Sequence, residues 1–207
     1  MQCTKFLGVY IDECLTWNEH IKVISSKISK NLGILRRVTH IMPSSIILTL
    51  YYTLINPYLQ YGNIVWAATY STRLNCLTLL QKRAIRIVAK DSYCAHTWPR
   101  FQEYNIVKFD RVNNYQVGIF MYRYLHNMLP NSFAKYFTRV EDVHEHNTRF
   151  SRGLSIQYAR TNYYRFLLHA RVLRYGMVFP LLLKRLLHFS NSSDFGASTL
   201  DLINLYK

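Results

Sequence analysis

Basic side chains without acidic neighbours are the most chemically suggestive feature of this sequence. Its 207 residues include 26 Lys and Arg against 11 Asp and Glu, a formal net charge of +15. No carboxylate occurs from His20 through Lys90, or from His146 through Ser193. Guanidinium and ammonium groups pair with phosphate oxygens. Positive charge left uncompensated over such lengths predicts an anionic partner, with nucleic acid favoured over an anionic membrane surface.

The spacing of some of these cations suits phosphate binding. Lys82, Arg86 and Lys90 recur every four residues, with Arg83 beside them, so they share one face if the segment is helical. We predict that they form a cationic ridge that follows phosphates. Other candidates for nucleic-acid contact lie on a second predicted helix or in the second acid-free stretch, and they are Lys22, Lys30, Arg37 and Arg149. The alternative is that these charges only keep the helices solvated.

Acidic and metal-ligating residues do not form a recognisable active site. Metal-assisted nucleotidyl transfer needs carboxylates that converge on divalent ions, and adjacent acids occur only at Asp12-Glu13 and Glu141-Asp142. Asp12-Glu13 separates a strand-like from a helix-like segment, so we expect a turn or helix N-terminal role for it. His144-Glu145-His146 and Cys94-Ala95-His96 lack further ligands at a zinc-site spacing. We predict no catalytic residue, no metal site and no cofactor in this chain.

The hydrophobic patterns predict a mainly α-helical fold with a short β turn at its N-terminus. The run from Thr4 to Asp12 contains Gly8 and is typical of one or two strands. Thr16 and Glu19 have the spacing of a capping box, which predicts a helix that continues through Arg37. Its apolar residues recur at helical spacing, and they are Trp17, Ile21, Ile24, Ile28, Leu32 and Leu35.

The segment from Ile46 to Ile55 is apolar all round a helical wheel, so we predict a core helix enclosed on every side. Ten residues are too short to cross a bilayer core of about 30 Å. Asn56-Pro57 should end this helix and allow a second one from Tyr58 to Trp66. The next helix should begin at Ser71 or Thr72 and end near Lys90.

These elements predict four regions. Residues 1–15 form strands, 16–91 a helical bundle, 92–104 a linker and 105–207 a helical C-terminal region. The four cysteines are scattered without a C-x-x-C pair, and the N-terminus does not resemble a signal peptide. An intracellular location, nuclear or cytoplasmic, fits best.

Several short runs become recognisable when they are considered together. They are Phe6 to Asp12, Leu15 to Trp17, His20-Ile21, Lys27 to Lys30, Leu50 to Pro57, Tyr61 to Trp66, Leu80 to Ile87, Leu129-Pro130 and His144 to Arg149. In this order they resemble the region after the polymerase core of LINE-type (non-LTR retrotransposon) reverse transcriptases. No single run is decisive, but their order covers most of the chain.

The resemblance implies a fragment of an RNA-directed DNA polymerase that copies element RNA at a nicked chromosomal target. Phe6, Leu7, Gly8 and Val9 would match the primer-grip turn, which holds the primer's 3′ end. The bundle 16–91 would be the thumb, and residues 1–15 a remnant of the palm and primer-grip strands. The family's catalytic aspartates lie upstream of that turn, so Mg²⁺ is expected only in the missing palm.

We therefore expect a polymerase fragment that is inactive alone but binds an RNA/DNA primer-template duplex without reading its sequence. Association with an upstream polymerase fragment is a further expectation, and a small-molecule substrate or a membrane partner is not expected. Two alternatives stay open. One is a non-functional pseudogene product, and the other is a helical protein-interaction module whose basic faces meet an acidic partner.

Overall fold

The computed structural model describes residues 3–138 and Val143, and within them the chain is mainly α-helical with one small sheet, as predicted. The elements are β1 Cys3–Phe6, β2 Val9–Asp12, α1 Asn18–Val38, α2 Ser44–Leu54, α3 Asn56–Gln60, α4 Asn63–Trp66, α5 Ser71–Ala89, α6 Trp98–Glu103, α7 Phe109–Leu125 and a 3₁₀ helix Asn131–Tyr136. The chain divides into two compact units, residues 1–113 and 114–207.

β1 and β2 form an antiparallel hairpin at the N-terminus. Leu7 (φ 46°) and Gly8 (φ 83°) form its two-residue turn, and both occupy the left-handed region that a type I′ hairpin turn requires. The Tyr61 hydroxyl donates a hydrogen bond of 2.6 Å to the Leu7 carbonyl. The short β turn predicted for this segment is therefore present, and Tyr61 holds its tip.

α1 is the central helix, and its predicted apolar stripe from Trp17 to Leu35 is buried. The predicted capping box is wrong. Thr16 does not cap the helix, because its backbone N–H and its hydroxyl donate to the Asp12 carboxylate at 2.6 and 2.9 Å. Trp17 occupies the N-cap position in a left-handed conformation (φ 64°), and its N–H also donates to Asp12. The carboxylate of Asp12 at the end of β2, rather than a Thr16–Glu19 capping box, therefore accepts the N–H groups just before α1.

α2 is not enclosed on every side, so the prediction for the segment Ile46 to Ile55 is wrong. Ile47, Tyr51 and Ile55 are fully buried, but Ile46 and Tyr52 are 44% and 41% exposed. The exposed side also carries the threonines of this segment, and their hydroxyls are satisfied without burial. Thr49 and Thr53 donate to the carbonyls of Ser45 and Thr49, one turn earlier. Apolar composition therefore overstated how much of the helix the core covers.

The second predicted helix, Tyr58 to Trp66, is divided into α3 and α4 at Gly62, which has φ 61°. A side chain on Gly62 would meet Val9 of the hairpin and the Trp66 ring, each 3.5 Å away. Trp66 is fully buried, and its indole N–H donates to the Tyr61 carbonyl. Gly62 therefore lets Val9 of the hairpin approach the bundle closely.

α5 begins and ends where predicted, and it buries Gln81 in addition to its apolar residues. The Gln81 amide donates to the Tyr51 hydroxyl and to the Val107 carbonyl at 3.0 Å each. Its oxygen accepts the Phe109 N–H at 2.7 Å. One side chain thus connects α2, α5 and the start of α7. The segment predicted as a linker, 92–104, contains α6, whose Phe101 belongs to the core.

Residues 114–138 contain the rest of α7 and the 3₁₀ helix. Ring pairs pack these elements together, with Phe120 and Phe133 centroids 5.7 Å apart and Tyr124 and Phe137 centroids 4.7 Å apart. This is the described part of the region predicted to be helical from 105 to 207, and most of that region lies outside the described residues. In the described part of the chain, no helix is long and apolar enough to cross a membrane.

Candidate nucleic-acid interface

The outer face of α1, opposite its buried stripe, presents cations among very short side chains. All of its members are exposed, and they are Lys22, Ser26, Ser29, Lys30, Gly33, Arg36 and Arg37. We call this set the α1 face. Lys30 and Arg37 are two turns apart, about 10 Å along the helix axis. The short side chains of Ser26, Ser29 and Gly33 leave the backbone of the helix accessible to a large partner.

The cations of the α1 face differ in how far other groups neutralise them. Lys22 bonds to Glu19 at 2.6 Å, so its charge is partly compensated. Lys30, Arg36 and Arg37 have no ion pair or hydrogen bond to any side chain in the described part of the chain. These three are the cations most available to an anion. Arg36 was not among the predicted site residues, although it lies in the first acid-free stretch that pointed to the site.

Gly33 in the middle of the α1 face has no packing role among the residues that the structure describes. A side chain added there would meet nothing within 4 Å, and its φ is not left-handed. Glycine in a helix interior costs about 1 kcal/mol relative to alanine. Packing among the described residues therefore does not account for this glycine. Its missing side chain does leave the backbone of α1 accessible between Lys30 and Arg37.

α5 runs beside α1 in the same direction. Arg73 near the start of α5 donates to the Thr16 carbonyl just before α1, and Cys76 lies 3.5 Å from Ser25. At the other end, Lys90 donates to the Met42 carbonyl just beyond α1 at 3.1 Å. Arg83 follows Cys76 by seven residues, so it lies on the side of α5 that meets α1. Exposed Arg83 therefore adds positive charge to the α1 side of the bundle.

The predicted ridge of Lys82, Arg86 and Lys90 is not one exposed row. Lys82 and Arg86 are only half exposed. Arg86 donates through Nε to the Ala95 carbonyl at 2.9 Å, and its guanidinium lies over the Tyr93 ring. Lys90 ends α5 in a left-handed conformation (φ 56°) and is bonded to Met42. Arg86 and Lys90 therefore fasten loops to α5, a role that periodicity cannot reveal.

Lys108 is a half-buried lysine whose pKa is affected by the charge of Lys82. Burial is the largest cause that lowers the pKa of Lys108, and the positive charges of Arg111 and Lys82 add to it, while Asp110 acts in the opposite direction. The Lys108 ammonium lies 4.0 Å from the centroid of the Trp98 ring. The cations on this side of α5, Arg86 and the neighbouring Lys108, therefore contact aromatic rings and a backbone carbonyl.

The residues predicted to match a primer grip form the tip of the hairpin. Phe6 and Leu7 are 62% and 73% exposed, Gly8 is exposed and Val9 packs against the core. Tyr61, itself exposed, holds the tip through the Leu7 carbonyl. The four residues are thus together on a fixed turn that projects apolar side chains into solvent.

Several of the described carboxylates form hydrogen bonds or ion pairs within the chain. Asp12 closes the start of α1, Glu19 pairs with Lys22, and Asp91 binds the Arg100 guanidinium through both oxygens at 2.8 and 2.9 Å. Glu103 also pairs with Arg100 at 2.6 Å. Within the described residues no group of three or more His, Cys, Asp or Glu is placed to hold a metal ion. Cys94 and His96 are exposed there.

Three predicted features lie outside the described residues. They are the candidate Arg149, the second acid-free stretch from His146 through Ser193, and the acidic and histidine pairs at 141–146. The candidate interface is therefore built from α1 and α5 alone. Comparison of the chain with protein-family models, with curated protein sequences and with solved structures finds no significant match.

Proposed function

We propose that this chain binds the sugar-phosphate backbone of nucleic-acid duplexes, without reading their sequence, through the α1 face with Arg83 beside it. The observation that carries the proposal is the set of three exposed, uncompensated cations, Lys30, Arg36 and Arg37, around the unexplained Gly33. Contacts to phosphate position a protein on a duplex, whereas base reading needs side chains that enter a groove. Serines and a glycine between the cations suit the first mode and offer little for the second.

The parent activity that we infer is that of a LINE-type reverse transcriptase, of which this chain is the thumb and post-thumb portion. Two observations support this inference. One is the ordered sequence resemblance, and the other is the presence of a hairpin and a helical bundle at the positions that this resemblance predicts. On this proposal the partner is an RNA/DNA primer-template duplex inside the cell, in the nucleus or cytoplasm. On this proposal the chain does not extend a primer alone, because the carboxylates that bind Mg²⁺ belong to the palm of the parent enzyme.

The test is the salt dependence of binding to a mixed-sequence RNA/DNA duplex. The logarithm of the binding constant should fall linearly with the logarithm of salt concentration, by about 0.9 per phosphate contact on B-form DNA and by a comparable amount here. The triple variant Lys30→Gln, Arg36→Gln, Arg37→Gln should flatten the slope by about two to three. Its circular dichroism and melting temperature should be unchanged, because all three side chains are exposed.

A matched control is Lys22→Gln on the same face of α1. Lys22 is paired with Glu19, so its loss should change the slope less than the loss of any one uncompensated cation. Equal affinity and slope for the native chain and the folded triple variant would overturn the assignment of the α1 face.

A protein-interaction function is the second candidate, and one observation favours it. Apolar side chains are exposed around the α1–α2 turn, with Ile41 79%, Ile34 46% and Ile46 44% exposed. They lie close in sequence to Arg37, so an acidic partner with an apolar segment would find both charge and apolar surface. Binding to such a partner would weaken little with salt, in contrast to binding to phosphates.

A further inference from the structure

β1 is a strand without a second neighbour in the described part of the chain. The sheet contains β1 and β2 alone, and all four residues of β1 are exposed. A two-stranded hairpin is marginally stable in water, and an open strand edge is a template for pairing with another chain. β2 holds the hairpin to the rest of the protein, because Val9 and Ile11 pack against the hydrophobic core.

The register determines which backbone groups of β1 face outward. Phe6 and Val9 flank the two-residue turn and form a hydrogen-bonded pair, and pairs alternate from there along an antiparallel ladder. Lys5 and Tyr10 are therefore a non-hydrogen-bonded pair. The Tyr10 N–H agrees with this, because it points away from β1 and donates to His20 Nδ1 at 3.3 Å. By the same alternation, the N–H and C=O groups of Cys3 and Lys5 point outward from the open edge.

We propose that this edge pairs with the same edge of a second copy of the chain, in an antiparallel arrangement with a two-fold axis at Thr4. Lys5 of each copy then lies opposite Cys3 of the other, and their outward groups form hydrogen-bonded pairs on both sides of the axis. The edge is self-complementary because its outward groups are placed symmetrically about Thr4.

The pairing of side chains in this register favours a second copy as the occupant. The two-fold axis places Thr4 directly opposite Thr4, and cross-strand threonine pairs are favourable. The sole charged residue of β1 is Lys5, and this register keeps the two lysines apart by placing each opposite a cysteine. Lys5 also leans back over its own sheet, with its ammonium 5.8 Å from the centroid of the Tyr10 ring. Moving the two-fold axis by one residue toward the turn, from Thr4 to Lys5, would bring the two lysines face to face.

The first test uses Lys5→Pro in the full chain. Proline removes the outward N–H of Lys5 but no hydrogen bond of the hairpin, since the Lys5 amide does not face β2. The variant should keep its melting temperature and weaken self-association by about tenfold or more, measured by analytical ultracentrifugation. Lys5→Thr is the matched control, because it removes the charge and keeps the N–H. It should dimerise at least as well as the native chain.

The second test locates the two-fold axis. With the four native cysteines changed to serine, Thr4→Cys should form a disulfide-linked dimer under mild oxidation. Directly opposed residues of a non-hydrogen-bonded pair are about 4.5 Å apart at Cα, within disulfide range. Ser26→Cys in the same background, exposed on α1, should cross-link much more slowly. Equal cross-linking of the two variants would overturn the proposal, as would a native chain that stays monomeric at high concentration.

Failure of this proposal is distinguishable from failure of nucleic-acid binding. Each copy carries a formal charge of +15, so added salt screens repulsion between copies and should strengthen the dimer. The same salt should weaken binding to phosphate. Dimer formation is measured without nucleic acid, and the α1 triple variant should dimerise like the native chain.

Discussion

The backbone N–H of Trp17 donates a hydrogen bond of 2.8 Å to the Asp12 carboxylate, and this bond connects the end of the hairpin to the start of α1. Thr16 contributes two more donors to the same carboxylate. Asp12 is 4% exposed and has no cation as a partner in the described part of the chain. Its charge is therefore stabilised by hydrogen bonds alone, and the turn between strand and helix depends on it.

Asp12→Asn should lower the free energy of unfolding at pH 7 by about 1.5 to 3 kcal/mol, since the bonds to a charged acceptor are lost or weakened. Urea denaturation measures the difference. Glu13→Gln is the matched control, because it removes the adjacent, exposed carboxylate and leaves the hydrogen bonds to Asp12 in place, and it should cost less. Equal losses from the two substitutions would contradict the role assigned to Asp12.

The same group predicts a pH dependence. Burial acts to raise the pKa of Asp12, but the hydrogen bonds from Thr16 and Trp17 outweigh it, so the pKa is lowered from its ordinary value of 3.8. The stability that Asp12 provides is complete above pH 3.8 and is lost as pH falls through the lowered pKa. The gap between the native chain and Asp12→Asn should therefore close below pH 3.8.

The existence and approximate bounds of α1 and α5 were predictable from the sequence, because their apolar residues recur at helical spacing, whereas α6 lies in the segment predicted as a linker. The ends of α5 and the buried stripe of α1 agree with the predictions. The cap of α1 was not predictable by the same means. The Thr16–Glu19 spacing favours a capping box, but a carboxylate four residues upstream competes for the same donors. Only the hairpin geometry brings Asp12 within reach.

His20 should make the protein less stable in mild acid. Its Nδ1 accepts the Tyr10 N–H, and its ring is 3% exposed against Trp66, with centroids 5.2 Å apart. Burial, with the nearby positive charge of Lys27, lowers the pKa of His20 from 6.5 to about 4. The unfolded chain therefore binds this proton more readily. Stability should be complete above pH 6.5 and fall by up to about 3 kcal/mol as pH drops toward 4.

The measurement is urea denaturation of the native chain and of His20→Gln at pH 7 and pH 4.5. Glutamine can still accept from Tyr10 but does not titrate, so the variant should lose less stability between the two values. A native chain and a variant that lose stability equally over this interval would show that His20 is not held neutral.

Gln81 should matter more to stability than its polar side chain suggests. Gln81→Leu leaves the Tyr51 hydroxyl, the Val107 carbonyl and the Phe109 N–H without their partner, at a cost of about 2 to 4 kcal/mol. Tyr51→Phe removes one of these bonds and should cost about 1 kcal/mol. Hydrogen exchange of the Phe109 amide should accelerate in Gln81→Leu alone. Unchanged exchange at Phe109 would mean that Gln81 does not hold the start of α7.

The sequence indicated which segments carry uncompensated positive charge, but it did not indicate which of these side chains are exposed together on one surface. The absence of carboxylates from His20 through Lys90 directed attention to α1 and α5. Spacing alone could not tell which cations the fold would use itself. Arg86 reaches a carbonyl nine residues later in a loop, and that loop shows no period from which its path could be inferred.

Arg83 and Arg86 lie one turn apart on α5. Substitution of Arg86 should therefore affect mainly the free energy of unfolding, and substitution of Arg83 mainly nucleic-acid binding. Arg86→Met removes the Nε–H that bonds to the Ala95 carbonyl, so the free energy of unfolding should fall by about 1 kcal/mol. Arg83→Met removes an exposed guanidinium whose contact with Tyr93 is long, at 3.4 Å, and should leave the melting temperature unchanged. Methionine keeps the apolar stem in both variants, so the comparison isolates the guanidinium.

In binding to a mixed-sequence duplex the order should reverse. Arg83→Met should flatten the salt slope by about 0.9, whereas Arg86→Met should change it less, since part of its guanidinium is already committed to the loop. Neither variant should alter sequence preference, because no base is read. If Arg86→Met keeps its stability and flattens the slope as much as Arg83→Met, the phosphate-binding surface includes the ridge predicted from spacing, and the loop contact of Arg86 is incidental.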